Sequence, residues 1–161
     1  MLSKGVAALE ELAELLGVLK PPEYIERYDI SHTFGADNVA GMVVFHNGRP
    51  MKSAYKRCSV KGFDGQNDVG SMNEVLTRRF NHYYNDEEGS TFKILPDLIL
   101  LDGGQPQVNA VLPVIQKMKL SVPVFGMVKD SKHRTRAIAY GGGEIEINSH
   151  RAAFTLALIP I

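Results

Sequence analysis

Two aspartates stand where a carboxylate is unusual. Asp102 ends the apolar run PDLILLD and is followed by Gly103 and Gly104, and Asp29 lies inside YIERYDISH, a second strand-like stretch. An ionised carboxylate at the edge of a buried sheet loses solvation; it persists when paired, hydrogen-bonded or bound to a metal. The glycines after Asp102 leave room for a group to approach the backbone. Two strands that each deliver an acid to one sheet edge can hold a divalent cation, Mg²⁺ or Mn²⁺. That arrangement suits phosphodiester hydrolysis, in which the metal activates a water and offsets charge on the phosphoryl oxygens while the protein fixes the geometry. The plainer alternatives are a solvent-facing strand-end acid for Asp29 and a turn-forming Asp before Gly-Gly for Asp102.

The flanking sequence predicts the elements that must position these acids. Ser3 to Leu19 reads as an amphipathic helix, with Val6, Leu9, Leu12, Ala13 and Leu16 on one face and Pro21-Pro22 as its stop. Three strand-like segments follow, Ile25 to His32, Val39 to His46 and Pro50 to Val60, with Asn47-Gly48 marking a hairpin between the last two. A polar loop over Lys61 to Gly70 leads into a helix from Ser71 to Tyr84. The strand Leu98 to Asp102, a helix over Gln107 to Lys119 and a buried strand Val122 to Val128 come next. A basic loop, KDSKHRTR, precedes a hairpin of Arg136 to Tyr140 with Glu144 to Asn148, and a helix-like apolar pattern resumes at Ser149. An antiparallel three-strand meander followed by alternating helices and parallel strands is the element order of a ribonuclease H-like mixed α/β sheet. In that order, Asp29 and Asp102 fall on the first strand and on the strand after the meander and its helix.

Composition sets the outer bounds. The 161 residues, 44% of them hydrophobic, suit one domain (23–161) behind an N-terminal connecting helix (1–22). The 18 basic and 18 acidic residues cancel, so any nucleic-acid surface must be a local patch. Candidates for such a patch are Lys56, Arg57 and Lys61, then Arg78 and Arg79, then Lys129, Lys132, Arg134 and Arg136. Arg134 and Arg136 are the strongest, being near the predicted edge of the site. His32 is placed to orient a carboxylate or to contact phosphate; packing or ordinary hydrogen bonding is its plainer role. Cys58, the one cysteine, fits a reducing cytosol and the role of a small buried hydrophobe. No stretch is long and apolar enough to span a membrane.

Four segments in order, IERYDISHTFG, MNEVLTRRF, PDLILLDGG and GMVKDSKHRTRAI, resemble the C-terminal endonuclease domain of UvrC, the incision subunit of bacterial nucleotide excision repair. The likeness runs from Ile25 to Asn148. It implies catalytic roles for Asp29 and Asp102, and for Asp68 just before the MNEVLTRRF helix, where an N-cap is the plainer role. It further implies damaged duplex DNA as substrate, incision on the 5′ side of the lesion, UvrB as partner through the full-length protein, and a cytoplasmic location. Two departures stand out. Gln105-Pro106-Gln107 follows the DGG motif where the family commonly has Lys-Gly-Gln, and the chain ends before the family's catalytic-histidine helix. The sequence therefore reads as a C-terminally incomplete nuclease domain, with a catalytically incompetent DNA- and metal-binding fragment as the alternative. PDLILLD with Lys129 also resembles the phosphorylated strand of response-regulator receivers, but that fold begins parallel, not with a meander.

Overall fold

The architecture follows from where the apolar residues alternate and where they repeat at helical spacing. The computed structural model describes residues 4–32, 38–60 and 68–147, with the side chains of all but residues 4–8 and Asp68. The predicted helix-like segment from Ser149, and residues 61–67 of the loop predicted over Lys61 to Gly70, lie outside the described residues.

Among the described residues three helices, α1 (Lys4–Leu16), α2 (Asp68–Asn85) and α3 (Gln105–Lys117), cover a mixed sheet. Its strands are β1 (Tyr24–Ser31), β2 (Asn38–His46), β3 (Arg49–Pro50), β4 (Lys56–Val60), β5 (Leu98–Asp102), β6 (Val124–Lys129), β7 (Thr135–Tyr140) and β8 (Gly143–Glu146). The order across the sheet is β3-β2-β1-β5-β6-β7-β8, with β4 also paired to β2. β1 and β5 are central and parallel, as are β5 and β6, and all other pairs are antiparallel. This is the predicted meander followed by helix and strand alternation.

Alternation along each strand splits the core into two. Leu9, Leu12 and Leu16 of α1 meet Ile25, Phe45, Leu98, Leu100, Met127 and Ile138 on one sheet face. On the other, α2 (Met72, Val75, Leu76, Phe80) and α3 (Val108, Val111, Ile115) cover Tyr28, Ile99 and Leu101. Each fully buried large aliphatic side chain contributes about 1.5–3 kcal/mol, so both layers are needed to hold the central strands. Pro106 lies in the first turn of α3, where its missing N–H costs nothing. Gly104 N–H donates to Gln107 Oε1 at 3.0 Å and fixes that entry.

The segment predicted as one strand from Pro50 to Val60 is two. A 3₁₀ turn at Lys52–Ala54 separates β3 from β4, and both pair with β2. The turn buries Ala54 completely, which an unbroken strand would not allow. The helix predicted from Ser71 begins earlier, at Asp68.

Candidate active site

The register of the two central strands builds the site. β1 and β5 pair Ile25 with Leu98 and continue in step to Tyr28 with Leu101, so the next position sets Asp29 beside Asp102. Paired residues on neighbouring strands share a face, and strands lie about 4.8 Å apart. Ile25 and Leu98 belong to the α1 layer, so both aspartates point to the α1 side, at the carboxyl ends of their strands. Both are half-exposed where α1 no longer covers the sheet.

Neighbouring residues shape the pair. Gly41 of β2 pairs with Asp29, and a Cβ there would collide with Asp29 Oδ1. Glycine at that strand position therefore makes the cradle in which the carboxylate lies. On the other side, Lys129 Nζ is 3.2 Å from Asp102 Oδ1. Arg27, two residues before Asp29 on the same face, is 5% exposed, and its Nε has no partner among the described residues. Gly126 of β6 admits the Gly103-Gly104 turn, because a Cβ there would meet the Gly103 carbonyl oxygen. The donor set, two hard carboxylate oxygens groups with a side-chain-free cradle beside one of them, fits an oxygen-seeking divalent cation such as Mg²⁺ or Mn²⁺. Among the described residues no third His, Cys, Asp or Glu joins these two acids.

The remaining nominated residues sort by face. Asp68 begins α2, and its side chain lies outside the described residues. His32 Nδ1 lies 2.8 Å from Asn38 Oδ1, and Asn38 Nδ2 donates to Ser71 Oγ at 3.1 Å. His32 thus ties the end of β1 to the first turns of α2. Arg78 lies on α2, on the face opposite the acids, donating to the Ser59 carbonyl at 2.7 Å. Arg79 corrects an expectation. It is 2% exposed and makes a bidentate pair with Glu26, at 2.9 and 2.8 Å, plus bonds to the Phe92 and Ile94 carbonyls. A guanidinium so buried and so fully bonded has no face left for phosphate. Tyr28 donates to Glu26 Oε1 at 2.5 Å; burial, then the Glu26 charge, push its hydroxyl well above its usual range. Sequence reading missed Glu26 as the partner. The available signal was a lone charge on an inward-facing position of a buried strand.

The loop after β6 carries Lys132 and Arg134. Asp130 organises it, accepting from the backbone amides of Lys132 and Arg134 at 2.8 and 3.0 Å and from Arg134 Nε at 3.1 Å. The Arg134 amide foremost holds the Asp130 carboxyl below its usual range. A carboxyl lowered in the fold stabilises the loop above its unfolded value, and that contribution is lost as pH falls through the folded value. The Lys132 and Arg134 amides are therefore expected to lose exchange protection on acidification, below the pH at which free carboxylates protonate. Asp130→Asn should remove that pH dependence, as amide hydrogen exchange would show. Arg136 lies 3.7 Å from Glu144 across the final hairpin.

Gly41→Ala is expected to leave thermal stability within about 1–3 kcal/mol of the parent, the usual range for overpacking, and to displace Asp29. Loss of cation binding by calorimetry with a retained circular dichroism spectrum would bear this out; unchanged binding would refute the cradle.

A mixed sheet whose first strand is central, with acids on two parallel neighbours, defines a ribonuclease H-like fold. A solved endonuclease V from Ciona intestinalis, bound to a 23mer DNA containing an inosine followed by a ribo-adenosine, shares this fold. Its TM-score is 0.51 at 14% identity, over 81% of this chain and 59% of that one. Residues 13–158 match the family described as the UvrC RNAse H endonuclease domain, and the chain belongs to that family. UvrABC system protein C from Caldanaerobacter subterraneus subsp. tengcongensis is 47% identical over 92% of this chain and 26% of its own length. The same-named protein of Thermoanaerobacter pseudethanolicus is 46% identical over 96% and 26%, and that of Clostridium novyi 44% over 88% and 24%. The chain thus spans about a quarter of the length of these relatives. Among the described residues no helix is long and apolar enough to cross a membrane.

Proposed function

We propose that this chain is the metal-dependent DNA endonuclease part of a UvrABC excision repair protein, hydrolysing a phosphodiester on the 5′ side of a lesion. The observation that carries the reading is the in-step register of β1 and β5, which sets Asp29 beside Asp102 on one open face. Asp29 and Asp102 would hold Mg²⁺ or Mn²⁺. When bound, such an ion supplies water activation and charge stabilisation at the phosphoryl group. The chain itself positions: the β1–β5 ladder fixes the spacing of the carboxylates, Gly41 keeps space open over Asp29, and Lys129 neutralises Asp102. Asp68, at the start of α2, is proposed as an assisting acid. Lys129, Lys132, Arg134 and Arg136, on β6, β7 and the loop between them, would contact the DNA backbone. Such contacts fix position and carry no sequence information, in keeping with a substrate chosen by damage rather than by sequence. Damaged duplex DNA, UvrB acting with the full-length protein, and a cytoplasmic setting complete the proposal.

The second reading, a piece that binds metal and DNA without cutting, is favoured by the two-acid site, which lacks a third ligand among the described residues. Nicking of supercoiled plasmid in Mn²⁺, Mg²⁺ and EDTA separates the two. Metal-dependent nicks support the nuclease. Their absence, with nicking gained by a longer chain that carries the family's histidine helix, supports the second reading.

A further inference from the structure

The acid pair has a cation on its β6 side, Lys129, and the sheet register places another on its far side. Arg57 of β4 pairs with Gly41 of β2, and Gly41 pairs with Asp29 of β1. Arg57, Gly41, Asp29 and Asp102 therefore form one row across the sheet, at right angles to the strands and on one face. Gly41 contributes no side chain, so the row is open between Arg57 and Asp29. A cavity of about 350 Å³ lies there, lined by Asp29, Ser31, Gly41, Tyr55 and Arg57 among others. Arg57 is exposed. The other arginines nominated for a phosphate surface each have an acid already: Arg78 has Glu74, Arg79 has Glu26, Arg134 has Asp130 and Arg136 has Glu144. Among the described residues Arg57 has none.

We propose that this cavity is a subsite for the nucleotide next to the scissile phosphodiester, with Arg57 binding that nucleotide's phosphate and the Tyr55 ring bounding its sugar. The inference rests on the nuclease reading of the acid pair. Two strand spacings, about 10 Å, separate the backbone of Arg57 from that of Asp29. That span, bridged by an arginine side chain, lies within reach of a neighbouring phosphate of the same strand. A guanidinium presents a donor fork that matches phosphate oxygens, and the amphipathic tyrosine ring suits a sugar edge. With Lys129 beyond Asp102, the cut strand would cross the sheet from β4 towards β6, a cation on each side of the acids.

The test is the salt dependence of binding to a fluorescein-labelled duplex oligonucleotide, read by anisotropy in EDTA, with plasmid nicking in Mn²⁺ measured in parallel. Arg57→Ala is expected to weaken binding alike on all sequences and to reduce the slope of log K against log salt by about 1. Arg57→Lys should keep the slope, and Tyr55→Ala should weaken binding with the slope unchanged. In nicking, Arg57→Ala should raise KM and leave kcat within about twofold, the pattern of a lost binding contact made equally in ground and transition states. An Arg57→Ala slope equal to that of the parent overturns the subsite, and if the parent still nicks DNA the nuclease reading survives alone. A reduced slope with no nicking by the parent keeps Arg57 as a phosphate contact and counts against the nuclease reading.

Discussion

Asp102→Asn and Asp29→Asn should each lower metal-dependent nicking by about 10³-fold or more while the protein melts as the parent does. The reasoning is electrostatic. Each substitution keeps size and shape and removes one full negative charge from a cation site that has two acids among the described residues. Metal-assisted charge stabilisation is worth several kcal/mol, and about 4 kcal/mol corresponds to three decades of rate. The fold has little at stake in either charge. Both side chains are half-exposed, and the Lys129 contact to Asp102, at 22% and 35% side-chain exposure, falls among pairs worth about 0.2–1 kcal/mol. Nicking that persists in both variants, under conditions where EDTA abolishes it in the parent, would place the chemistry elsewhere.

Glu26→Ala carries the largest expected cost to stability. Glu26 is 1% exposed and accepts from Arg79 at two points and from Tyr28 at a third. Truncating it leaves a buried guanidinium without its counter-charge and the Tyr28 hydroxyl without that acceptor. Breaking such a pair from one side costs about 3–5 kcal/mol, which in a chain of this size lowers the melting temperature by about 6–20 °C. Replacing both partners, Glu26→Met with Arg79→Met, should recover a large part of the loss, because two apolar side chains need no desolvation offset. Urea unfolding of the single and double variants measures the coupling. A single-variant loss below about 1 kcal/mol would mean the pair does not hold β1 to α2.

What the sequence shows of this fold is what periodicity and turn chemistry can carry. The strand Leu98 to Asp102 and the Asn47-Gly48 hairpin are found where they were expected, because an uninterrupted apolar run and a dipeptide tolerant of positive φ are local signals. That Asp29 and Asp102 share a face is also implicit in the pattern, once both strands are taken as parallel neighbours. The break between β3 and β4 is not: Met51 to Tyr55 carries no Gly, Pro or Asn to mark a turn, and the tertiary demand to bury Ala54 bends it. Arg79 is half legible. In MNEVLTRRF it falls on the apolar stripe of Met72, Val75 and Leu76 at helical spacing, a local sign that it faces inward; what the pattern does not show is its partner Glu26, far away in sequence. Gly41 had a signal, a glycine inside a strand, whose meaning depends on knowing that Asp29 lies opposite. Arg57 is one of several surface cations until cross-strand pairing puts it in line with the acids.

The acids sit on the interior ladder of the sheet and not on loops, and this links the lifetime of the site to that of the fold. Local opening in proteins begins at termini, turns and edge strands, and core strands exchange their amides only near the global unfolding free energy. β1 and β5 are flanked on both sides by other strands and lie between two helical layers. Fraying at β8 or at the β6–β7 turn can release the basic groups there while the carboxylate pair stays assembled. Conditions that loosen the periphery would thus weaken the hold on a polyanion well before they dismantle the place where a cation would bind.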